Sequence, residues 1–275
     1  MSVPTAEAVR GVVEALGATV LGVLRYAGGM ALLGGDVGRW TWRELFWRGG
    51  GFRWDALAKQ MVRVGVRSLG IVVLVQLFIG TILTLQLAPT LGDYGQLDKV
   101  ATVIGVGGFR MLGPIITAVV LSGFAGASIA AELGTMVVAE EIEAMQAMAM
   151  NPVRFLVVPR VLATLIMMVL LTVIADLVIC VGGFLAARWA MGPDAYVAFW
   201  ETVRSSVAMF DFATGLIQAA VFGTLIGLIA CYEGLSVRGG AEGVGQATTM
   251  TVVYSLIATI LAACVFTVGF FLFGI

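Results

Sequence analysis

The chain has 275 residues, of which 60% are hydrophobic and 12% charged, with a net charge of −1. Soluble domains carry about 25% charged residues, so this composition belongs to a membrane protein and offers nucleic acid no basic surface. Histidine is absent, which removes the commonest general base and metal ligand, and Cys180, Cys231 and Cys264 lie far apart in apolar runs, which excludes a zinc site or disulfide framework.

In chain order, Glu7, Arg10, Glu14 and Arg25 interrupt any signal-peptide core. Val9, Val12, Leu16, Val20 and Val23 recur every three to four residues within 5–30, which predicts an amphipathic helix lying in the membrane interface. Gly28 and Gly29 read as loop punctuation after it. The segment RWTWRELFWRGGGFRWD, 39–55, mixes Trp with Arg and marks a membrane–water boundary. Residues 1–55 are therefore expected to form an interfacial segment, and 56–275 the membrane domain.

A bilayer core of roughly 30 Å needs about 20 apolar helical residues. Five spans are predicted at 68–92, 108–131, 160–187, 210–232 and 246–273, which makes the fold all-α. Nine of the 16 Lys and Arg residues precede position 68. Placing that end inside also puts Arg154, Arg160 and Arg238 inside, so the bias predicts a cytoplasmic N-terminus and an external C-terminus. The MGPD segment, 191–194, reads as an outer turn flanked by Trp189 and Trp200.

Polar groups within the spans mark candidate sites. Gln76, Thr81, Thr84 and Gln86 either line a cavity or join helices. Asp176 lies mid-span, where a carboxylate is costly, and is a functional candidate; the structural alternative is a bond to Thr172 or to a partner subunit. Gly223 and Gly227 form a GxxxG pair suited to close helix packing. No phosphate-binding loop, HExxH or GxSxG motif is present, so no catalytic residue, metal site or bound cofactor is expected.

Between the second and third spans the chain reads AEEIEAMQAMAMNP, 139–152. A helix over 136–150 is predicted, with Thr135 as cap, Glu140, Glu141 and Glu143 near its start and Pro152 beyond its end. Ile142, Met145 and Ala149 share a face, with Met148 beside it. Met repacks readily against partners, and anionic headgroups would repel the acids, so this helix is expected to meet a protein.

These stretches resemble the MlaE/YrbE permease family, the membrane subunits of ABC systems that work with MCE-domain proteins. The likeness runs from about residue 55 to the C-terminus. It is carried by KQMVRVGVRSLGIVV, FIGTILTLQ, RMLGP at 110–114, AAELGTMVVAEEIEAMQAMAMNPVRFLVVPR at 130–160 and GLSVRGGAEGVGQATTMTVV at 234–253. The resemblance implies a bacterial inner-membrane lipid transporter without catalytic residues of its own. It makes 136–150 a coupling helix, with Glu140, Glu141, Ile142, Glu143, Met145 and Met148 docking on a cytoplasmic ATPase dimer that uses ATP and Mg. It implies a second copy of the chain, a phospholipid-holding cavity that Gln76, Leu77, Gly80 and Thr84 are expected to line, and MCE-domain proteins whose single helices dock on the first span and the N-terminal helix. The other readings are an autonomous ion-coupled transporter or channel using Asp176, and a membrane scaffold. The chain departs from the family at Gly123-Phe124-Ala125-Gly126, where Gly-Arg-x-Gly is frequent, at Met111, where Glu is frequent, and at Glu141, where Gln is usual.

Overall fold

In the computed structural model, which describes residues 6–46, 54–190 and 197–273, helices joined by turns account for the described backbone. A chain this apolar satisfies its backbone within the bilayer by helix formation. Two units are distinguished, residues 1–51 and 52–275.

The first unit holds one long helix, α1 (Ala6–Phe46). Helix was expected only to about residue 30, but Gly28 and Gly29 lie within it rather than in a loop. Each interior Gly costs about 1 kcal/mol relative to Ala, which the surrounding helix formers absorb. Trp40 and Trp42 ride on α1, and the Arg43 guanidinium lies 5.1 Å from the Trp40 ring centre, as a boundary segment should allow. Trp47 lies outside the described residues.

The second unit comprises α2 (Trp54–Met61), α3 (Arg67–Asp93), α4 (Asp98–Gly107), α5 (Gly113–Leu121), α6 (Ala127–Val138), α7 (Glu141–Ala147), α8 (Val158–Ala190), α9 (Phe199–Ser206), α10 (Met209–Leu235) and α11 (Gly240–Phe273). Four π turns, Val62–Val66, Gly108–Leu112, Ser122–Gly126 and Val153–Val157, merge neighbouring helices into longer runs. Among the described residues, 6 helical runs are long and apolar enough to cross a membrane, against the five expected. The additional one is Val20–Arg43, the least apolar of the set. The run matching the second predicted span, Asp98–Val138, starts ten residues before the predicted 108. Lys99 and Arg110 hid its beginning by breaking the apolar stretch. The MGPD turn lies outside the described residues.

Glycine seams hold the bundle. A Cβ on Gly80 would strike the Ile179 carbonyl, and one on Gly182 the Leu77 carbonyl, so α3 and α8 touch backbone to backbone. Thr81 and Thr84 donate across the seam to the Gly182 and Gly183 carbonyls, each at 3.2 Å. Gly223 and Gly227 press α10 on Val161, Thr164 and Met168 of α8, so the GxxxG pair serves packing inside this chain. Gly182→Val should therefore lower the thermal midpoint in detergent by an amount matching about 3 kcal/mol or more, because backbone offers no rotamer through which to yield. The exposed Gly70, with open space around its Cα, should accept Ala with little change.

Candidate functional site

Three features stand apart from plain apolar packing. The first is the α7 hairpin. α6 stops at Val138, and Glu140 turns the chain with a left-handed backbone, φ 57° and ψ 15°. α7 then runs only over Glu141–Ala147, Ala149 repeats the left-handed turn, and the Asn151 carboxamide oxygen accepts the Val153 N–H at 2.9 Å to start the next helical run. The single helix over 136–150 is thus divided in two. Thr135 is not its cap: the hydroxyl donates to the Glu132 carbonyl inside α6, at 2.8 Å. A helix cannot pass through a left-handed residue, and side-chain spacing carries no trace of that turn.

Burial also divides the expected docking residues. Ile142 is buried and Met145 half-buried, so both pack α7 against its own chain. Glu140, Glu141, Glu143 and Met148 are exposed, Met148 by 63%. Behind them, Glu132 of α6 forms ion pairs with Arg63 at 2.6 Å and Arg160 at 3.1 Å. This triad was not foreseen. Its signal was a lone carboxylate at the end of an otherwise apolar span.

The second feature is a cavity of about 270 Å³ lined by Val106, Gly107, Arg110, Gln218, Thr267 and Phe270, among others. The π turn Gly108–Leu112 aims Arg110 at it. The guanidinium lies 4.7 Å from the Phe270 ring centre and 3.6 Å from Asp211 Oδ1. Asp211 Oδ2 accepts the Ala208 N–H at 3.1 Å, which satisfies a free donor at the start of α10 and places negative charge where the helix dipole favours it. Gln218 Nε2 donates to the Arg110 carbonyl at 3.0 Å and pins the π turn. Arg110 entered the sequence reading only within the RMLGP motif, and Asp211 and Gln218 not at all, because their proximity arises from the fold. Asp211→Ala should cost about 1–2 kcal/mol of stability, the usual loss for a helix N-terminal acceptor, read as a drop in the thermal midpoint.

The third feature is the buried polar group around Asp176. Asp176 is 1% exposed, and neither carboxyl oxygen has a hydrogen-bond partner. Thr172 does not serve it: that hydroxyl donates to the Met168 carbonyl at 2.8 Å, the usual choice for Thr in a helix. Burial within the chain also removes a partner subunit from reach. The carboxyl instead packs on Gly113 of α5. Gln76 Nε2 donates to the Gly113 carbonyl at 3.3 Å and to Thr117 Oγ1 at 3.4 Å. Gln76, Gly80 and Thr84 are buried at helix contacts and Leu77 is half-buried, and the cavity at Arg110 is lined by other residues.

Comparison with known proteins agrees with this architecture. The family model described as Permease MlaE matches residues 57–269. An intermembrane phospholipid transport system permease protein of Haemophilus influenzae is 33% identical over 246 residues, covering 88% of this chain and 91% of that protein. A probable ABC transporter permease of Rickettsia typhi is 34% identical over 206 residues, covering 75% of this chain and 79% of its own. A chloroplast protein of Arabidopsis thaliana, trigalactosyldiacylglycerol 1, is 29% identical over 249 residues, 85% and 71% of the two chains. With the matched region spanning the whole helical bundle from α2 to α11, the chain belongs to the MlaE permease family.

Proposed function

We propose that this permease is the membrane subunit of an ATP-driven ABC system that moves phospholipid or a related lipid between the bacterial inner membrane and an MCE-protein conduit. The α7 hairpin is the observation that carries the reading: three exposed carboxylates and Met148 stand on two stems joined by the Glu132 ion pairs. The names of the Haemophilus and Rickettsia relatives support lipid as cargo and an ATPase as partner.

The nine cations before position 68 favour a cytoplasmic N-terminus. That orientation suits five spans, with α1 at the membrane interface and α7 facing the cytoplasmic ATPase, which binds ATP and Mg. The cavity at Arg110 has apolar walls suited to part of an acyl chain. α11 exposes Ile257, Ile260, Leu261, Val265 and Val268 along one side, a ridge suited to a second copy of the chain. α3 exposes Ile71, Leu74, Phe78, Ile82 and Leu85 at helical spacing, a surface suited to the single helices of MCE proteins. ATP binding closes the ATPases, α7 moves with them, and the spans change the shape of the cavity.

Co-expression with the ATPase and an MCE subunit, followed by purification and lipid mass spectrometry, tests this. A complex of all three carrying phospholipid is the expected result. A permease that purifies alone, free of lipid and with full transport activity, would contradict it and favour an ion-coupled route through Asp176.

A further inference from the structure

Glu132 lies on neither the docking surface nor the cavity, yet it joins three helical runs at the α7 end of the bundle. One oxygen meets Arg63, in the π turn leading into α3, and the other meets Arg160, at the start of α8. The Arg160 side chain is only 5% exposed, and its Nη1 also donates to the Leu156 carbonyl at 2.7 Å, which ties it to the π turn Val153–Val157. Both stems of the α7 hairpin, α6 and α8, are therefore held to each other and to the first span by a single carboxylate.

Surface ion pairs separate at little cost, but parting Glu132 from Arg160 is costly, because the Arg160 guanidinium, only 5% exposed, would be left in a poorly polarisable medium without its counter-ion. The stems consequently behave as one block. The hairpin itself has two left-handed residues, Glu140 and Ala149, one on each side of α7. Stems free to slide past one another would let those turns absorb a push on α7. Stems locked through Glu132 must pass the push on.

We infer that Glu132 is a positioning residue: it makes α6, α8 and the lead-in to α3 move together when α7 is displaced, and so sets how much lipid moves per ATP. This rests on α7 being the site of ATPase docking. The assembled transporter in phospholipid vesicles reports both quantities. Glu132→Gln keeps the side chain's size and loses its charge. The ATPase should remain bound and ATP turnover should stay within about twofold, while lipid moved per ATP falls at least about tenfold, a loss within the normal range of inter-site coupling. Reversing all three charges, Glu132→Arg with Arg160→Glu and Arg63→Glu, sets one cation between two anions and should recover about a third or more of the ratio. Arg63→Gln removes one arm and should lower the ratio about threefold. It also carries the test if Glu132→Gln fails to insert.

An unchanged lipid-to-ATP ratio in Glu132→Gln or Arg63→Gln, with the ATPase bound, overturns the inference. So does a charge-reversed triad no better than Glu132→Gln, and so does loss of ATPase binding in Glu132→Gln. The docking reading fails by a separate result, namely ATPase association that survives charge reversal at Glu141.

Discussion

Gly113→Ala is expected to abolish the folded permease, and Asp176→Ala in the same chain to restore much of it. A methyl group on Gly113 would collide with Asp176 Oδ1 and come within 3.0 Å of the Gly108 carbonyl oxygen. The carboxyl cannot turn to a waiting donor, because none of its present neighbours donates to it. It must move deeper into apolar packing or push α8 away from α5. Overpacking costs about 1–3 kcal/mol, and displacing a buried carboxyl adds to that, so a loss of at least about 3 kcal/mol is expected. Truncating Asp176 opens the space that the methyl needs, so the two changes together should be milder than Gly113→Ala alone. Fluorescence-detected size exclusion after a temperature ramp reads both variants. A Gly113→Ala protein as stable as the wild type would show that the carboxyl does not pack on this glycine.

Charge at the hairpin carries the second large effect. Glu140→Arg with Glu141→Arg should weaken ATPase association at least about tenfold, equivalent to about 1.4 kcal/mol, and should remove ATP-dependent transport with it. Glu140 has a left-handed backbone, so the charge must be tested apart from the turn. Asn accepts that conformation readily, and Glu140→Asn should show the loss of charge alone. Glu141 opens α7 with an ordinary helical backbone, so Glu141→Gln reports charge directly. Binding measured by biolayer interferometry on the detergent-solubilised permease separates these terms.

Long apolar runs made the bundle readable before its coordinates. α3, α8, α10 and α11 each fall within a few residues of their predicted bounds, because about 20 apolar residues in a row leave few alternatives to a spanning helix. Interruptions were not readable. The π turn at Gly108–Leu112 lets the helix carry Arg110 without breaking, so the charge that seemed to begin a span lies inside one. Gly28 and Gly29 resembled a loop and are mid-helix, since flanking helix formers outweigh two glycines. At the hairpin, the acids and methionines were legible as exposed chemistry. The left-handed turn at Glu140 and the inward face of Ile142 were not, because backbone sign and burial depend on what the bundle places nearby. The Arg63–Glu132–Arg160 triad joins residues from three separate segments, and only the fold brings them together.

Vesicles containing the permease, its ATPase and a fluorescent phospholipid give the most direct test of ATP-driven lipid movement through this subunit. Wild-type complex should transfer the lipid when ATP and Mg are supplied and stop when ATP is replaced by a non-hydrolysable analogue, and the complex bearing Glu140→Arg and Glu141→Arg should not transfer it under either condition. Equal transfer by wild type and variant, or transfer indifferent to ATP, would contradict the account.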